Sequence, residues 1–191
     1  MDPSTFLFHW TEGTESGMDN SPRWDWAGGM HSTGITMMKG VVDFGVYFAK
    51  DCEALAQIWR ILGETTNYHH WSTLSRNVSQ AVHDHLWDAQ RGGYSDLLPN
   101  GTFARIVSVS NFLPLLLEDI CESRVDTLVK GLKELSEGLL WPLASFGPKD
   151  ASTYSTDMWR GEWAVVFLDS KLRNNQIITL MQVLCGSTQT I

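Results

Sequence analysis

The sequence holds 191 residues, 43% of them hydrophobic and 19% charged, the proportions of a globular chain that is one full domain or a piece of a larger one. Its net charge of −8, without any run of Lys or Arg, argues against a nucleic-acid partner, and no apolar stretch reaches the length that spans a bilayer. Cys52, Cys121 and Cys185 form neither a metal-ligand pattern nor a complete disulfide set, and Met1-Asp2-Pro3-Ser4-Thr5 lacks the start of a signal peptide, so no metal, no cofactor and a reducing, cytoplasmic setting are expected.

In residues 1–14, Phe6, Phe8 and Trp10 alternate with Leu7 and His9, a short mixed segment without a clear period. Glu15-Ser16-Gly17-Met18-Asp19-Asn20-Ser21-Pro22-Arg23-Trp24-Asp25 follows, with four ionisable side chains, a glycine, a proline and an indole. It has neither the period of a core helix nor that of a strand, and Asn20-Ser21-Pro22 reads as turn chemistry. Such a turn suits a polyol: carboxylates and guanidinium bond hydroxyls, and an indole face takes the C–H face of a sugar ring. A solvated turn with one Arg–carboxylate pair is the competing reading of the same residues.

Beyond the flexible glycines Gly28, Gly29 and Gly34, the residues Val42, Val46, Ala49, Cys52, Leu55, Ala56, Trp59 and Leu62 recur at three- and four-residue steps. This spacing predicts a helix with one buried face, capped by Gly63. Trp71, Leu74, Val78, Ala81, Val82 and Leu86 predict a second helix, and so short a link makes the pair an antiparallel hairpin. Asn100-Gly101 predicts a β-hairpin of residues 94–98 against 102–106. Residues 109–118 and 125–137 then predict a second helical pair, with Phe112, Leu113, Leu116, Val125, Leu128, Val129, Leu132 and Leu135 as its core. A loop over 139–153 leads to Met158-Trp159-Arg160-Gly161-Glu162-Trp163, a second polar–aromatic knot, and a last helix is expected over 164–184. Trp159 and Trp163 also fit one buried face of a helix start, being four apart. His9, His31, His69 and His70 have no spacing that compels a metal or catalytic role.

The stretch from Glu15 to Asp25 resembles the signature of the six-hairpin glycosidases that include processing α-glucosidases and mannosylglycerate hydrolases, with a looser form in trehalases. The order of helix pair, hairpin, the helix with Ser108 and Phe112-Leu113-Pro114-Leu115, and a further helix is also similar to that family. Residues 158–163 are similar to its Trp-Arg-Gly-Pro-x-Trp segment, with Glu162 in the proline position and the second Trp one residue early; Thr14 stands where a Trp is common. The resemblance covers roughly residues 15–165 of a single unit over 1–191.

What it implies is an all-α fold, a partial (α/α)6 six-hairpin toroid with a small β-hairpin. It implies an inverting glycoside hydrolase acting on an α-linked glucoside or mannoside, with Asp19 as general acid. Glu15, Arg23, Trp24, Asp25, Trp159, Arg160, Gly161 and Trp163 would bind the carbohydrate. An inverting site needs a second carboxyl about 6.5–9.5 Å from the first, leaving room for a water. In the family that base lies beyond the Trp-Arg-Gly segment; here Glu162 and Asp169 are the last acids and neither sits in such a motif. The expectation is therefore a partial domain without its general base, poorly active alone and prone to self-associate through bare apolar faces. An inactive carbohydrate-binding remnant and a plain helical scaffold are the alternatives.

Overall fold

A computed structural model of the chain describes residues 1–29, 38–136, 145, 155 and 158–160. Its frame is a pair of long antiparallel helices, α1 (Val42–Ile61) and α2 (Thr65–His85), as the apolar spacing predicts. Val42, Val46, Ala49, Cys52 and Ala56 line the inward face of α1 and pack on Val78, Ala81, Val82 and Leu86. The two axes approach closely at Gly45, where a Cβ would lie 2.7 Å from Val82 Cγ2. Gly63 ends α1 with φ of 78°, its N–H donating to Arg60 O at 3.2 Å while Glu64 N–H donates to Trp59 O at 3.0 Å. That double bond to the last turn is a Schellman cap, and it reverses the chain in three residues. At this tip Ile58, Ile61 and Leu62 are exposed, Ile61 at 81%.

The predicted β-hairpin is only partly formed. Asn100-Gly101 does make the turn: Leu98 N–H donates to Thr102 O at 2.9 Å and Ala104 N–H to Asp96 O at 2.8 Å. Between them Leu97 pairs with Phe103 as a single bridge, and on its other side with Gly40. The two-stranded sheet lies earlier, β1 (Trp87–Asp88) antiparallel to β2 (Gly93–Tyr94), with Trp87 opposite Tyr94. The segment cannot run as one ladder because its backbone serves three partners. Ser95 N–H goes to Leu86 O at 2.9 Å, Tyr94 O accepts from Asn111 Nδ2 at 2.6 Å, and Leu97 N–H goes to Gly40 O at 2.8 Å.

The second helical pair is also corrected. Residues Val109–Leu116 form a 3-10 helix rather than an α-helix, with Pro114 inside it. Proline offers no N–H and its ring clashes with the carbonyl four residues back, so the α form is disfavoured. Ser108 and Asn111 close its start as a capping box, Ser108 N–H donating to Asn111 Oδ1 at 2.6 Å. Only α3 (Glu122–Ser136) of the expected pair is a full helix; it starts three residues earlier than predicted and buries Val125, Leu128 and Leu132. The expected segments 139–153 and 164–184 fall outside the described residues, save Ser145. Among the described residues no helix is long and apolar enough to cross a membrane, and no three metal-type side chains cluster.

A polar network ties α2, β2 and α3 together. His83 places Nδ1 2.6 Å from Tyr94 Oη and Nε2 3.0 Å from Asp119 Oδ1, and Ser79 Oγ donates to the same carboxyl oxygen at 2.5 Å. Arg124 donates to His83 O at 3.0 Å and stands 4.6 Å over the Trp87 ring. Burial pushes the Tyr94 hydroxyl up to about 12, against the pull of Arg124. Burial also pushes the Asp119 carboxyl up, but the bonds from His83 and Ser79 outweigh it and leave it below its usual range.

A carboxyl held low in the folded state adds stability above its unfolded value, about 3.9, and loses it as pH falls through the folded one. The wild type should therefore be more stable than Asp119→Asn at pH 7, with the gap closing below about pH 4. Urea unfolding at both pH values checks this; a gap unchanged from pH 7 to pH 3 contradicts it.

Candidate active site

The signature stretch folds into two 3-10 helices, Gly13–Ser16 and Pro22–Ala27, joined by residues 17–21. Gly17, at φ of 70°, ends the first, and Gly28, at φ of 96°, ends the second. Glu15 folds back: its carboxylate accepts Thr11 N–H at 2.8 Å, and hydrogen bonds from Thr11 hold its carboxyl below the usual range. Ser21 caps the second helix and Pro22 occupies its first position, where a missing N–H costs nothing.

Beneath this loop sits Arg23, only 2% exposed. Its Nε and Nη2 donate to Asp96 Oδ2 at 3.0 and 2.7 Å. Nη1 donates to Asp43 Oδ2 and, at 3.0 Å, to Ser110 Oγ; Nη2 reaches Asp43 Oδ1 at 3.4 Å. A guanidinium has five N–H donors, and these five contacts occupy all of them. Burial alone would ease deprotonation of Arg23, but Asp43 and Asp96 more than reverse it and its pKa rises. Burial pushes the Asp96 carboxyl up; Arg23 pulls it back, Asp43 adds to the push, and the net direction is upward. Two acids share one cation here, and the negative charge they carry faces the start of α1. Asp96 Oδ1 accepts Val42 N–H at 2.9 Å, while Asp43 Oδ1 accepts Phe44 N–H at 2.8 Å and Trp10 Nε1–H at 3.1 Å. A helix N-terminus, with its unpaired N–H groups and positive dipole end, suits that charge.

The interior location bears on two of the expected carbohydrate contacts. All the donors of Arg23 are engaged inside, with Asp43, Asp96 and Ser110. Trp24 is 0% exposed, its ring 4.4 Å below the Arg23 guanidinium and its indole N–H donating to Met18 O at 3.0 Å, so no sugar face can reach it. The exposed indole here is that of Trp26, just past the stretch, at 41%.

Asp19 lies half-buried above this floor. Met18 before it is buried, with Sδ 3.3 Å from Ser110 Oγ and its carbonyl accepting both Ser21 N–H and Trp24 Nε1–H. Asn20 after it meets the second knot: Trp159 N–H donates to Asn20 Oδ1 at 2.9 Å. Next to that contact, Arg160 forks onto Asp25, Nη1 to Oδ2 at 3.0 Å and Nη2 to Oδ1 at 2.5 Å. Met158–Arg160 is itself a short 3-10 helix, and Ser155 N–H closes onto Arg160 O at 3.0 Å. The two polar–aromatic stretches thus meet at Asn20 and Asp25, the Asn20 contact joining residues 139 positions apart in sequence. Gly161, Glu162, Trp163 and Asp169 lie outside the described residues. Asp43, Asp96, Ser110 and Asn20 were not singled out from sequence. The available signal was Asp43, an acid inside the apolar first turn Val41-Val42-Asp43-Phe44, which requires a buried partner.

A family model described as the mannosylglycerate hydrolase MGH1-like glycoside hydrolase domain matches residues 1–167. The chain belongs to this family. A mannosylglycerate hydrolase of Rubrobacter radiotolerans is 29% identical over 112 residues, which are 56% of this chain and 25% of that protein. The GH63 mannosylglycerate hydrolase from Thermus thermophilus in complex with glucose superposes with a TM-score of 0.69 at 20% identity, over 84% of this chain and 47% of that one. In complex with Tris and D-glycerate the TM-score is 0.71 at 17% identity, over 98% of this chain and 54% of that one. These solved structures are helical toroids, and the chain shares their fold. It spans about a quarter of the curated relative and about half of the solved structures.

Replacing Arg23 by Leu strands two buried carboxylates. The expected loss at neutral pH is about 3–5 kcal/mol, the usual cost of removing one partner from a buried ion pair. Without the cation Asp96 moves further up in the folded state. A group with a raised folded pKa contributes stability below its unfolded value that is lost as pH rises through the folded one. The deficit of Arg23→Leu should therefore shrink from pH 7 to pH 5 in urea unfolding; a constant deficit contradicts the charge argument.

Proposed function

We propose that the chain carries the general-acid half of a glycoside hydrolase site, with Asp19 protonating the oxygen of the bond to be cut. The observation that supports this reading is the meeting of two distant polar–aromatic stretches at Asn20, the residue after Asp19, and at Asp25; the first stretch is anchored by Arg23 and the second is docked through Trp159 and Arg160. A carboxyl that must give a proton to a bound sugar needs a firm base, an accessible face and a wall, and the half-buried Asp19 has the first two. Glu15, Trp159, Gly161 and Trp163 are the residues proposed to face the carbohydrate.

The reaction proposed is inverting hydrolysis of an α-linked mannoside or glucoside. The names of the relatives, which call them mannosylglycerate hydrolases, favour the mannoside. Asp19 gives its proton to the leaving oxygen as the bond to the anomeric carbon breaks, and a water attacks from the opposite face. Its proton goes to a general base. Glu162 and Asp169 do not match the family's base motif, and the base is proposed to come from sequence outside this chain. The exposed Ile58, Ile61 and Leu62 supply an apolar surface for self-association.

Two aryl mannosides of different leaving-group acidity, 4-nitrophenyl and phenyl, test the assignment, each with and without azide in place of the missing base. Azide should raise wild-type turnover. Asp19→Asn should lose much more on the phenyl than on the 4-nitrophenyl mannoside, because the poorer leaving group needs the proton; general acid help is worth ~100- to 10,000-fold. Equal losses on both would remove Asp19 as the acid. Wild-type turnover of ~1–1,000 per second without azide would place a working base within the chain.

A further inference from the structure

We infer that Asn20, Asp25 and Arg160 are positioning residues: together they clamp the Trp159 segment onto the loop that carries Asp19 and so set where its carboxyl points. This rests on the reading of Asp19 as the acid, and it revises the sequence expectation that Asp25 and Arg160 bind the sugar.

The geometry makes the assignment. Arg160 presents a guanidinium fork to Asp25 and engages both carboxylate oxygens, at 3.0 and 2.5 Å. A bidentate pair of this kind fixes relative orientation as well as distance, because two parallel bonds resist rotation where one does not. It leaves Asp25 no oxygen outside the pair. The second point is a backbone contact, Trp159 N–H to Asn20 Oδ1 at 2.9 Å, on the residue immediately after Asp19. The residue immediately before Asp19, Met18, is held by its buried side chain and by two donors on its carbonyl. Asp19 is therefore suspended between a fixed residue and one tied to a segment 139 positions away. Among the described residues no hydrogen bond or ion pair reaches its own carboxyl, so its direction depends on these two neighbours. The Asp25–Arg160 pair is partly exposed, at 37% and 26%, and a pair in that setting adds little stability. Orientation is what it supplies.

Four versions of the full chain test this: Asn20→Ala, Asp25→Asn, Arg160→Gln, and the exchanged pair Asp25→Arg with Arg160→Asp. Circular dichroism and melting should match the wild type in all four, since the exchanged groups are partly exposed. In the azide-assisted reaction the three single variants should lose on the order of 10- to 100-fold in kcat with KM little changed, the signature of a displaced group rather than a lost ligand. The exchanged pair should recover most of that loss. The carboxyl carbon resonance of Asp19 should move in each single variant, including the uncharged Asn20→Ala change, and return in the exchanged pair. A raised KM with unchanged kcat would overturn the inference by making Asp25 and Arg160 sugar ligands. An Asp19 resonance unmoved by Asn20→Ala would overturn it as well. If the wild type shows no azide-assisted turnover, the acid assignment fails, and the resonance alone then decides for or against the clamp.

Discussion

A single guanidinium, enclosed with two carboxylates and no water-facing edge, is the constraint from which the rest of the molecule follows. Arg23 comes from the signature stretch, Asp43 from the first turn of α1, Asp96 from the partial hairpin, and Ser110 from the 3-10 helix that begins at Val109. Enclosing these ions costs several kcal/mol each in lost hydration, and that cost is offset only when every donor and acceptor finds its partner. Here the requirement is met: all five guanidinium N–H groups are used, and no buried side-chain polar atom among the described residues lacks a partner. A hydrophobic cluster of the same volume would hold these segments together as strongly. It would not fix their rotation, since apolar contacts lack direction.

The placement of the two acids links this knot to the helical frame. Both share one base, and the cluster lies against the N-terminus of α1. Val41 offers no capping side chain there, and Asp96 takes the Val42 N–H instead. The cap of the helix that forms the longest apolar interface among the described residues is thus supplied by the same carboxylate that anchors Arg23. Loosening the knot frays α1 at its start, and any change in how α1 begins is felt by the loop holding Asp19. Burying the floor of a site in this way gives the half-exposed groups above it a fixed reference.

The helical frame was legible in the sequence because its signal is periodic and local. Gly63 and the three- and four-residue steps on either side of it define the α1–α2 turn without any knowledge of tertiary contacts. The partial hairpin was less legible: Asn100-Gly101 correctly marks the turn, but nothing in the sequence around Leu97 shows that Gly40 competes for its backbone. Residues 109–118 misled through hydrophobicity, since the apolar pattern that suggests an α-helix contains the proline that prevents one. In the candidate site the sequence does not show that Arg23 and Trp24 lie inside, for one physical reason. Charge and aromaticity identify residues able to bind a polyol, but the same chemistry serves a buried ion pair and the ring beneath it. Only long-range partners such as Asp43 and Asp96 distinguish the two uses.

That distinction divides the signature stretch position by position. Met18, Ser21, Pro22, Arg23 and Trp24 are buried and build the floor; Glu15, Gly17 and Asp25 are exposed; Ser16, Asp19 and Asn20 are half-buried between them. The inward set is constrained by shape and by hydrogen-bond count, so even Lys for Arg23 fails, having three donors on a point charge where five in a plane are needed. The outward set is constrained by what it meets, and Asp25 and Asn20 meet Arg160 and the Trp159 backbone rather than solvent alone. A resemblance nearly unbroken over eleven residues therefore does not imply eleven residues in touch with a ligand. Most of them keep one carboxyl, Asp19, in a fixed relation to a segment that arrives from the other end of the chain.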